Sequence, residues 1–180
     1  IGKRPPRTTG EFLGNNIIMR HLRFRLGLDA ASANSVETDD VDTIWINSGD
    51  NILLDHLSTS WTSDEVLSAS RDVKRLTVQY TLMTEPLNEK GHGYGSIIGA
   101  AYPTDFSWHH NLWAHCTSRN PRPSSDAPDQ GYNLDLRNNV VYNWGDRIGY
   151  NSSDDVLSRQ YRHNYFIAGP NSGSQSICAA

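Results

Sequence analysis

The residues best suited to chemistry lie in one short segment, Arg119-Asn120-Pro121-Arg122, just beyond a β-rich run. Guanidinium groups bind carboxylates through two parallel hydrogen bonds, so two arginines this close together suit an acidic ligand. Pro121 restricts Asn120 to extended conformations and thereby fixes the direction in which Arg119 projects. On these residues alone, an acidic-ligand site and an ordinary solvated loop are both open.

A second candidate group is acidic and lies at Asp39-Asp40-Val41-Asp42, just before a predicted strand. Alternate residues of an extended segment point to the same side, so Asp40 and Asp42 can share a cation. The other interpretation of this segment is a solvated acidic turn.

The histidine, serine and glycine patterns indicate no other kind of active site. On a strand, His109 and His110 would face opposite sides, and no partners complete a tetrahedral zinc site. The Gly-x-Ser-x-Gly elbow of a serine hydrolase is absent from the sequence. Gly91, Gly93 and Gly95 lack the strand–loop–helix surroundings of a dinucleotide-binding loop, so we interpret them as turn glycines.

Short β-rich runs recur along the chain and would position these side chains. Most of them alternate apolar and polar residues, and Gly, Asn, Asp or Ser separates one run from the next. Only residues 63–70 suggest a helical turn. The predicted strands lie at 16–24, 43–46, 51–56, 75–80, 106–110, 134–138 and 159–163.

The runs repeat at intervals of roughly 24–35 residues, which places six positions in one register. These positions are Ile17, Ile52, Leu76, Phe106, Leu134 and Arg159. The last three repeats also share an asparagine, at Asn111, Asn139 and Asn164, and stacked amides can hydrogen-bond into a ladder. The repeat favours an all-β solenoid of about six parallel coils over the β-sandwich that the strand count alone would allow.

Composition agrees with a thin-cored solenoid and argues against several classes of protein. The 180 residues are 37% hydrophobic and 20% charged, with a net charge of −4. This charge is too mild for a nucleic-acid-binding arm, and the apolar runs are too short for a membrane-spanning helix.

The length predicts a single domain over 1–180, with a poorly defined segment at 1–14 and a tail at 171–180. Cys116 and Cys178 allow one disulfide, which their spacing does not decide.

Several segments, in a fixed order from about residue 15 to residue 170, resemble the pectate lyase family of polysaccharide lyases. The run His109-His110-Asn111, followed by Arg119 and Pro121, is similar to the family's His-His-Asn strand and Arg-x-Pro signature. Residues 45–46 and 51–56 resemble its Trp-Ile-Asp-His strand. Further similar segments lie at 60–68, 92–95 and 138–144.

The resemblance implies a right-handed parallel β-helix that cleaves polygalacturonate by β-elimination with the assistance of Ca²⁺. It implies that Arg119 is the base that removes the C5 proton of a galacturonate, and that Arg122 contacts a substrate carboxylate. Because a free guanidinium is protonated in neutral water, such a base needs desolvation and nearby positive charge. The implied calcium ligands are Asp40, Asp42 and Asp64.

Two departures from the family pattern concern this site. Ser68 stands where many members have an aspartate ligand, which weakens the implied calcium site. Glu65 is a candidate to compensate for this loss, although its side chain is expected to point elsewhere. Ser124 stands where members often carry another arginine. By strand register, Lys90 and His92 are therefore candidates for holding substrate carboxylates.

Three other functions are open at this point. One is a pectin lyase that acts on methylated polymer without calcium, and another is a β-helical polygalacturonase that uses the carboxylates of Asp40 and Asp42. The third is a non-catalytic β-helix that binds acidic polysaccharide.

The resemblance also implies a secreted, monomeric protein with a polygalacturonate or pectin partner and neither a nucleic-acid nor a membrane partner. Because family members are usually longer, the start at Ile1 predicts a truncated chain.

Overall fold

A computed structural model describes residues 11–27, 41–88, 91–125, 131–150 and 157–173. All regular elements within these ranges are strands, and none of the described residues lies in a helix. The described residues therefore contain no helix that could cross a membrane. The strands are β1 (Glu11–Arg20), β2 (Arg23–Arg25), β3 (Trp45–Asp55), β4 (Ser58–Ser60), β5 (Ser68–Gln79), β6 (Leu82–Thr84), β7 (Ile97–Ala100), β8 (Asp105–His109), β9 (Leu112–Ala114), β10 (Arg122–Ser125), β11 (Tyr132–Arg137), β12 (Val140–Tyr142), β13 (Leu157–Arg162) and β14 (Tyr165–Ile167).

The strands form two parallel sheets whose order follows the chain. One sheet runs β1-β3-β5-β8-β11-β13, with β7 joined to the start of β5 and β10 joined to β7. The other runs β2-β4-β6-β9-β12-β14. Successive repeats thus stack as a parallel β-solenoid, and the described residues make about four turns of it. The predicted fold class is confirmed at this level, while the count of six coils and the right-handed sense stay predictions.

The register predicted from the sequence is the register of the first sheet. Ile17 pairs with Ile52, Ile52 with Leu76, and Leu76 with Phe106. Phe106 in turn pairs with Leu134, which pairs with Arg159. Because side chains alternate along a strand, this register puts Ile52, Leu76, Phe106 and Leu134 into one buried row. The thin interior explains why so few apolar residues suffice.

The predicted asparagine ladder is also present, in the turn between the two sheets. The Asn111 side-chain oxygen accepts a hydrogen bond from the Thr81 backbone at 3.0 Å. Asn139 accepts from the backbone of Asn111, and Asn164 from the backbone of Asn139, each at 2.9 Å. Each amide nitrogen donates to the carbonyl of Val78 or its counterpart in a later coil. The ladder satisfies backbone groups that the turn would otherwise bury unpaired.

Two local expectations are wrong. Residues 63–70 form no helical turn, because Glu65 makes a bridge to Tyr94 in the next coil and β5 begins at Ser68. His109 and His110 do not face opposite sides, because β8 ends at His109 and His110 adopts a left-handed conformation with φ of 57°. Their Nδ1 atoms therefore lie 2.8 Å apart.

Candidate active site

Short segments from successive coils lie side by side next to the first sheet and carry the candidate residues. Glu65 forms a parallel bridge to Tyr94, and Tyr94 forms one to Ser118. The Thr43 backbone donates to the Glu65 carbonyl at 3.0 Å, which adds the segment around Asp42 to the row. Stacking of the coils thus collects residues that lie up to 77 positions apart in sequence, from Asp42 to Arg119.

Three carboxylates meet at this row. Asp42, Asp64 and Glu65 each offer one oxygen, and these oxygens lie within 4.8 Å of one another. Asp42 Oδ1 also accepts a hydrogen bond from the Glu65 backbone N–H at 3.0 Å. This bond fixes the backbone at Glu65 relative to Asp42. The Glu65 side chain is 4% exposed and the Asp64 side chain 14% exposed. The cluster is therefore acidic and largely shielded from water.

The expectation that the Glu65 side chain points elsewhere is wrong. Strict strand alternation would point the neighbouring side chains of Asp64 and Glu65 apart, but β5 begins only at Ser68 and Asp64 lies in a bend. Without that alternation, the neighbouring carboxylates of Asp64 and Glu65 reach the same place. The adjacent acidic pair in the sequence was the signal that this residue belongs to the site.

Arg119 lies against the carboxylates. Its Nη1 forms a close ion pair with Glu65 Oε1 and is 3.7 Å from Asp64 Oδ1. The guanidinium carbon lies 3.9 Å from the centre of the Tyr94 ring. The side chain is 17% exposed, and its buried Nε has no hydrogen-bond partner among the described residues. Arg119 is thus a shielded cation between an aromatic face and an anionic cluster.

The backbone of Arg119 is held in an uncommon conformation by the preceding coil. Its φ is 57°, a left-handed value that few residues other than glycine adopt. Gly95 lies directly beneath, and a Cβ at this position would be 2.3 Å from the Arg119 carbonyl oxygen. A glycine is therefore required at position 95 for the coils to approach here. The sequence analysis recognised Gly95 only as a turn residue.

Tyr94 provides a neutral surface for the guanidinium. Burial, together with the negative charge of Asp64 and weaker effects of Tyr150 and Asp146, raises the pKa of Tyr94 above its ordinary value. The phenol therefore stays protonated at neutral and mildly alkaline pH. A ring face against a guanidinium is a favourable cation–π arrangement, and it is stronger where both groups are shielded from water.

The other basic candidates line the same region. The guanidinium carbon of Arg122, on β10, lies 5.4 Å from the Tyr150 ring, and that of Arg147 lies 5.2 Å from the same ring. His92 Nδ1 is 3.9 Å from Asp64 Oδ1, and the His92 side chain is 39% exposed. The sequence analysis missed Arg147 and Tyr150, because neither belongs to a short motif and only the coil register brings them near Arg122.

Comparison with known proteins shows what this chain is similar to. No protein-family model matches the chain. The chain is 35% identical over 158 residues to a probable pectate lyase C of Emericella nidulans, covering 87% of this chain and 32% of that protein. It is 32% identical over 160 residues to one of Aspergillus flavus and 34% identical over 159 residues to one of Aspergillus terreus. Each alignment covers 87% of this chain and 33% of the relative.

This chain is similar to probable pectate lyases over 87% of its length. It spans about a third of the length of the curated relatives it matches. The alignments support the family resemblance found in the motifs.

The pectate lyase resemblance implied three calcium ligands, and the structure describes two of them. Asp42 and Asp64 lie together, and Glu65 lies with them, whereas the third ligand, Asp40, lies outside the described residues. Lys90, the candidate for holding a substrate carboxylate, also lies outside them. A group of three shielded carboxylates suits calcium, which takes several oxygen ligands. The donor set in the described part of the chain therefore fits the ion that the family implies.

The two departures from the pectate lyase pattern have different surroundings. Ser68 is buried in β5, where its hydroxyl accepts a hydrogen bond from the Ile97 backbone at 3.1 Å. The Ser68 hydroxyl therefore joins two neighbouring coils through a side-chain-to-backbone hydrogen bond. Ser124 lies in β10 and pairs with Gly99, whose missing side chain leaves room for the Ser124 backbone.

A groove of about 680 Å³ lies elsewhere on the protein, over the outer part of β5, β8, β11 and β13. Its lining includes Thr77, Ser107, Asp135 and Gln160, and none of the candidate residues contributes to it. Concavity alone would therefore point away from the carboxylate–arginine cluster. Charge and burial identify the candidate site better.

Proposed function

We propose that this protein cleaves polygalacturonate by β-elimination, with Arg119 as the base. The observation that carries the proposal is the contact of Arg119 with the carboxylate cluster of Asp42, Asp64 and Glu65. Among the described residues, this cluster also has a donor set that fits a divalent cation. The pectate lyase names of the relatives support the same reaction.

In the proposed step, Arg119 takes the C5 proton of a galacturonate residue. The C5–H electron pair forms the C4=C5 double bond, the bond from C4 to the glycosidic O4 breaks, and the leaving oxygen takes a proton from water. The hydroxide left behind accepts the proton held by Arg119, which restores both the base and the water molecule. The products are a 4,5-unsaturated end and a new hydroxyl end, so no oxidant and no added water are consumed. Shielding from water favours the neutral guanidine that this step needs, whereas the ion pair with Glu65 favours the protonated form, so Arg119 acts as the base once that ion pair is broken.

Other residues would bind and orient the polymer. Arg122 would hold a uronate carboxylate, since a guanidinium binds such a group in a planar, bidentate way. His92 would contribute a weaker polar contact at the edge of the cluster, where it is partly exposed. Tyr94 would keep the Arg119 guanidinium in place and exclude water from one of its faces.

Asp42 and Asp64, with Glu65, would hold calcium. Bound there, the ion would supply positive charge that neutralises the substrate carboxylate and makes the adjacent C5 proton more acidic. Asp40 and Lys90 stay proposed contributors from the sequence alone, and secretion and a monomeric state stay predictions as well.

The test is to incubate the protein with demethylated polygalacturonate at millimolar calcium and to follow the ultraviolet absorbance of unsaturated uronide. We expect the absorbance to rise, and EDTA to suppress the rise at least tenfold, with added calcium restoring it. A matched reaction on highly methylated pectin should be slower, because that polymer lacks the carboxylates that Arg122 and calcium would bind.

Each alternative function has its own signature in this assay. New reducing ends without ultraviolet absorbance would indicate a polygalacturonase. Faster cleavage of methylated pectin that EDTA does not affect would indicate a pectin lyase. Binding of polygalacturonate without any product at alkaline pH and millimolar calcium would indicate a non-catalytic polysaccharide-binding protein. Any of these three results would contradict the proposal.

A further inference from the structure

Glu65 takes part in two arrangements at once. Its carboxylate belongs to the group, with Asp42 and Asp64, that fits a metal ion. The same carboxylate forms a close ion pair with Arg119 through Oε1. Because the Glu65 side chain is only 4% exposed, water provides little alternative stabilisation for it. Glu65 is therefore the point at which the arginine and a metal ion would meet.

Electrostatics makes the two arrangements compete. Three shielded carboxylates repel one another and need a nearby cation, since burial penalises unpaired charge. Arg119 supplies one positive charge, in contact with Glu65 and 3.7 Å from Asp64. A divalent ion among the same oxygens would repel a guanidinium held at this distance, because both would be shielded from the bulk water that screens charges.

We propose that Arg119 is the built-in counter-cation of the carboxylate cluster, and that calcium must displace it from Glu65 in order to bind. Glu65 is then a positioning residue that holds Arg119 while the metal is absent and becomes a ligand when the metal arrives. The inference rests on the proposed function for the identity of the metal and for the role of Arg119 as base.

The competition has a functional consequence. By linkage, if Arg119 weakens calcium binding, then calcium weakens the hold of Glu65 on Arg119 by the same factor. Calcium binding would thus release the guanidinium from its carboxylate partner. The candidate base would become available for the substrate only in molecules that carry the metal ion needed to acidify the C5 proton.

The experiment measures calcium affinity by calorimetry, without any polysaccharide. Arg119→Gln removes the competing cation, and we expect calcium to bind about 10-fold more tightly than in the wild type. Arg119→Lys, which keeps a positive charge but loses the planar fork, should give an intermediate gain. Arg162→Gln is the matched charge control, because its 55% exposed arginine pairs with Asp135 in the strands that carry the groove, away from the cluster. Its affinity should equal that of the wild type.

A double-mutant comparison tests whether Glu65 carries the competition. Glu65→Gln should weaken calcium binding, and the gain from Arg119→Gln should shrink to less than about 3-fold in the Glu65→Gln background. As a second measurement, millimolar calcium should raise the melting temperature of Arg119→Gln by more than that of the wild type. This shift remains readable if the variant is less stable without the metal.

Equal or weaker calcium affinity in Arg119→Gln would overturn the proposal, and so would an absence of calcium binding to both proteins. A gain that is unchanged in the Glu65→Gln background would overturn the role of Glu65. The proposed function fails separately: a wild type that shows the competition but forms no unsaturated product refutes the lyase activity alone. An active wild type whose calcium affinity does not respond to Arg119→Gln refutes the competition alone.

Discussion

Two groups of buried polar side chains in this solenoid arise from the same stacking of coils, and they differ in chemistry. The ladder of Asn111, Asn139 and Asn164 repeats one neutral residue, and each amide bonds to backbone groups. The cluster around Arg119 and Glu65 collects different charged residues, and its main contacts join side chain to side chain. Repetition thus marks a structural device, whereas unrepeated buried charge marks a candidate site for chemistry.

The difference has a thermodynamic basis. A neutral amide that satisfies a buried backbone group in each coil stabilises the fold, and its net contribution grows with the number of coils. A shielded group of charges contributes little net stability, because desolvation offsets much of the attraction between the charges. Changes in the ladder should therefore affect unfolding most, and changes in the charged cluster should affect activity most.

The largest effect is expected from Arg119→Lys, which changes the charged cluster while leaving one positive charge beside Glu65. Lysine presents a compact, strongly hydrated ammonium in place of a planar guanidinium, so the proton of C5 loses its acceptor. We expect the rate of unsaturated product formation to fall about 1,000-fold. The assay is the ultraviolet absorbance of the product at saturating polygalacturonate and millimolar calcium.

The same variant should leave the fold nearly intact, with a free energy of unfolding within about 1 kcal/mol of the wild type. Urea unfolding followed by circular dichroism measures this value. A variant that loses several kcal/mol of stability, or keeps a tenth of the activity or more, would contradict the separation of chemistry from structure at Arg119.

A somewhat smaller effect, on stability alone, is expected from Asn139→Ala in the ladder. The change leaves the backbone N–H of Asn111 and the carbonyl of Trp108 without their present partners, which lie 2.9 Å away. Two buried groups left unpaired should lower the free energy of unfolding by about 3 kcal/mol. Urea titration gives the loss, and activity per folded molecule should be unchanged.

The neighbouring Asn138 offers a matched control for the ladder. It is exposed and has a left-handed φ of 53°, a conformation that glycine adopts readily. Asn138→Gly should therefore change the free energy of unfolding by less than about 0.5 kcal/mol. If both variants lose the same stability, the turn conformation and not the ladder is what matters at this corner.

The repeat made most of the fold predictable from the sequence. Apolar positions at a regular spacing gave the register of Ile17, Ile52, Leu76 and Phe106, because a one-residue slip would turn each buried side chain outward. The false helical turn near Glu65 has a physical cause. Its backbone groups bond to the next coil, a long-range contact that no local pattern reveals.

The site was only partly predictable. Arg119, Asp42 and Asp64 followed from motif resemblance, and the structure places them in one cluster. The place of Glu65 was not predictable from strand alternation, since the strand begins three residues later. Arg147 was missed because the Tyr150 ring, which it contacts locally, meets Arg122 only through coil stacking, a relation between residues about one repeat apart.

The smallest effect is expected at His109, which belongs neither to the asparagine ladder nor to the charged cluster. It tests how much a titratable charge outside the cluster affects the free energy of unfolding. Partial burial, with the positive charge of Arg137 and the neighbouring His110, lowers the pKa of His109, although Asp55 opposes the shift. Just below pH 6.5, the ordinary histidine value, the unfolded chain binds a proton at this position that the folded chain does not. Stability should therefore fall as the pH is lowered through this window, and rise again towards neutrality. Because His109 is partly exposed, the contribution should be below about 0.5 kcal/mol after solvent screening. Urea titrations of the wild type and His109→Gln between pH 5 and pH 7.5 measure it as the difference in slope, and a steeper pH dependence in the variant would contradict the sign.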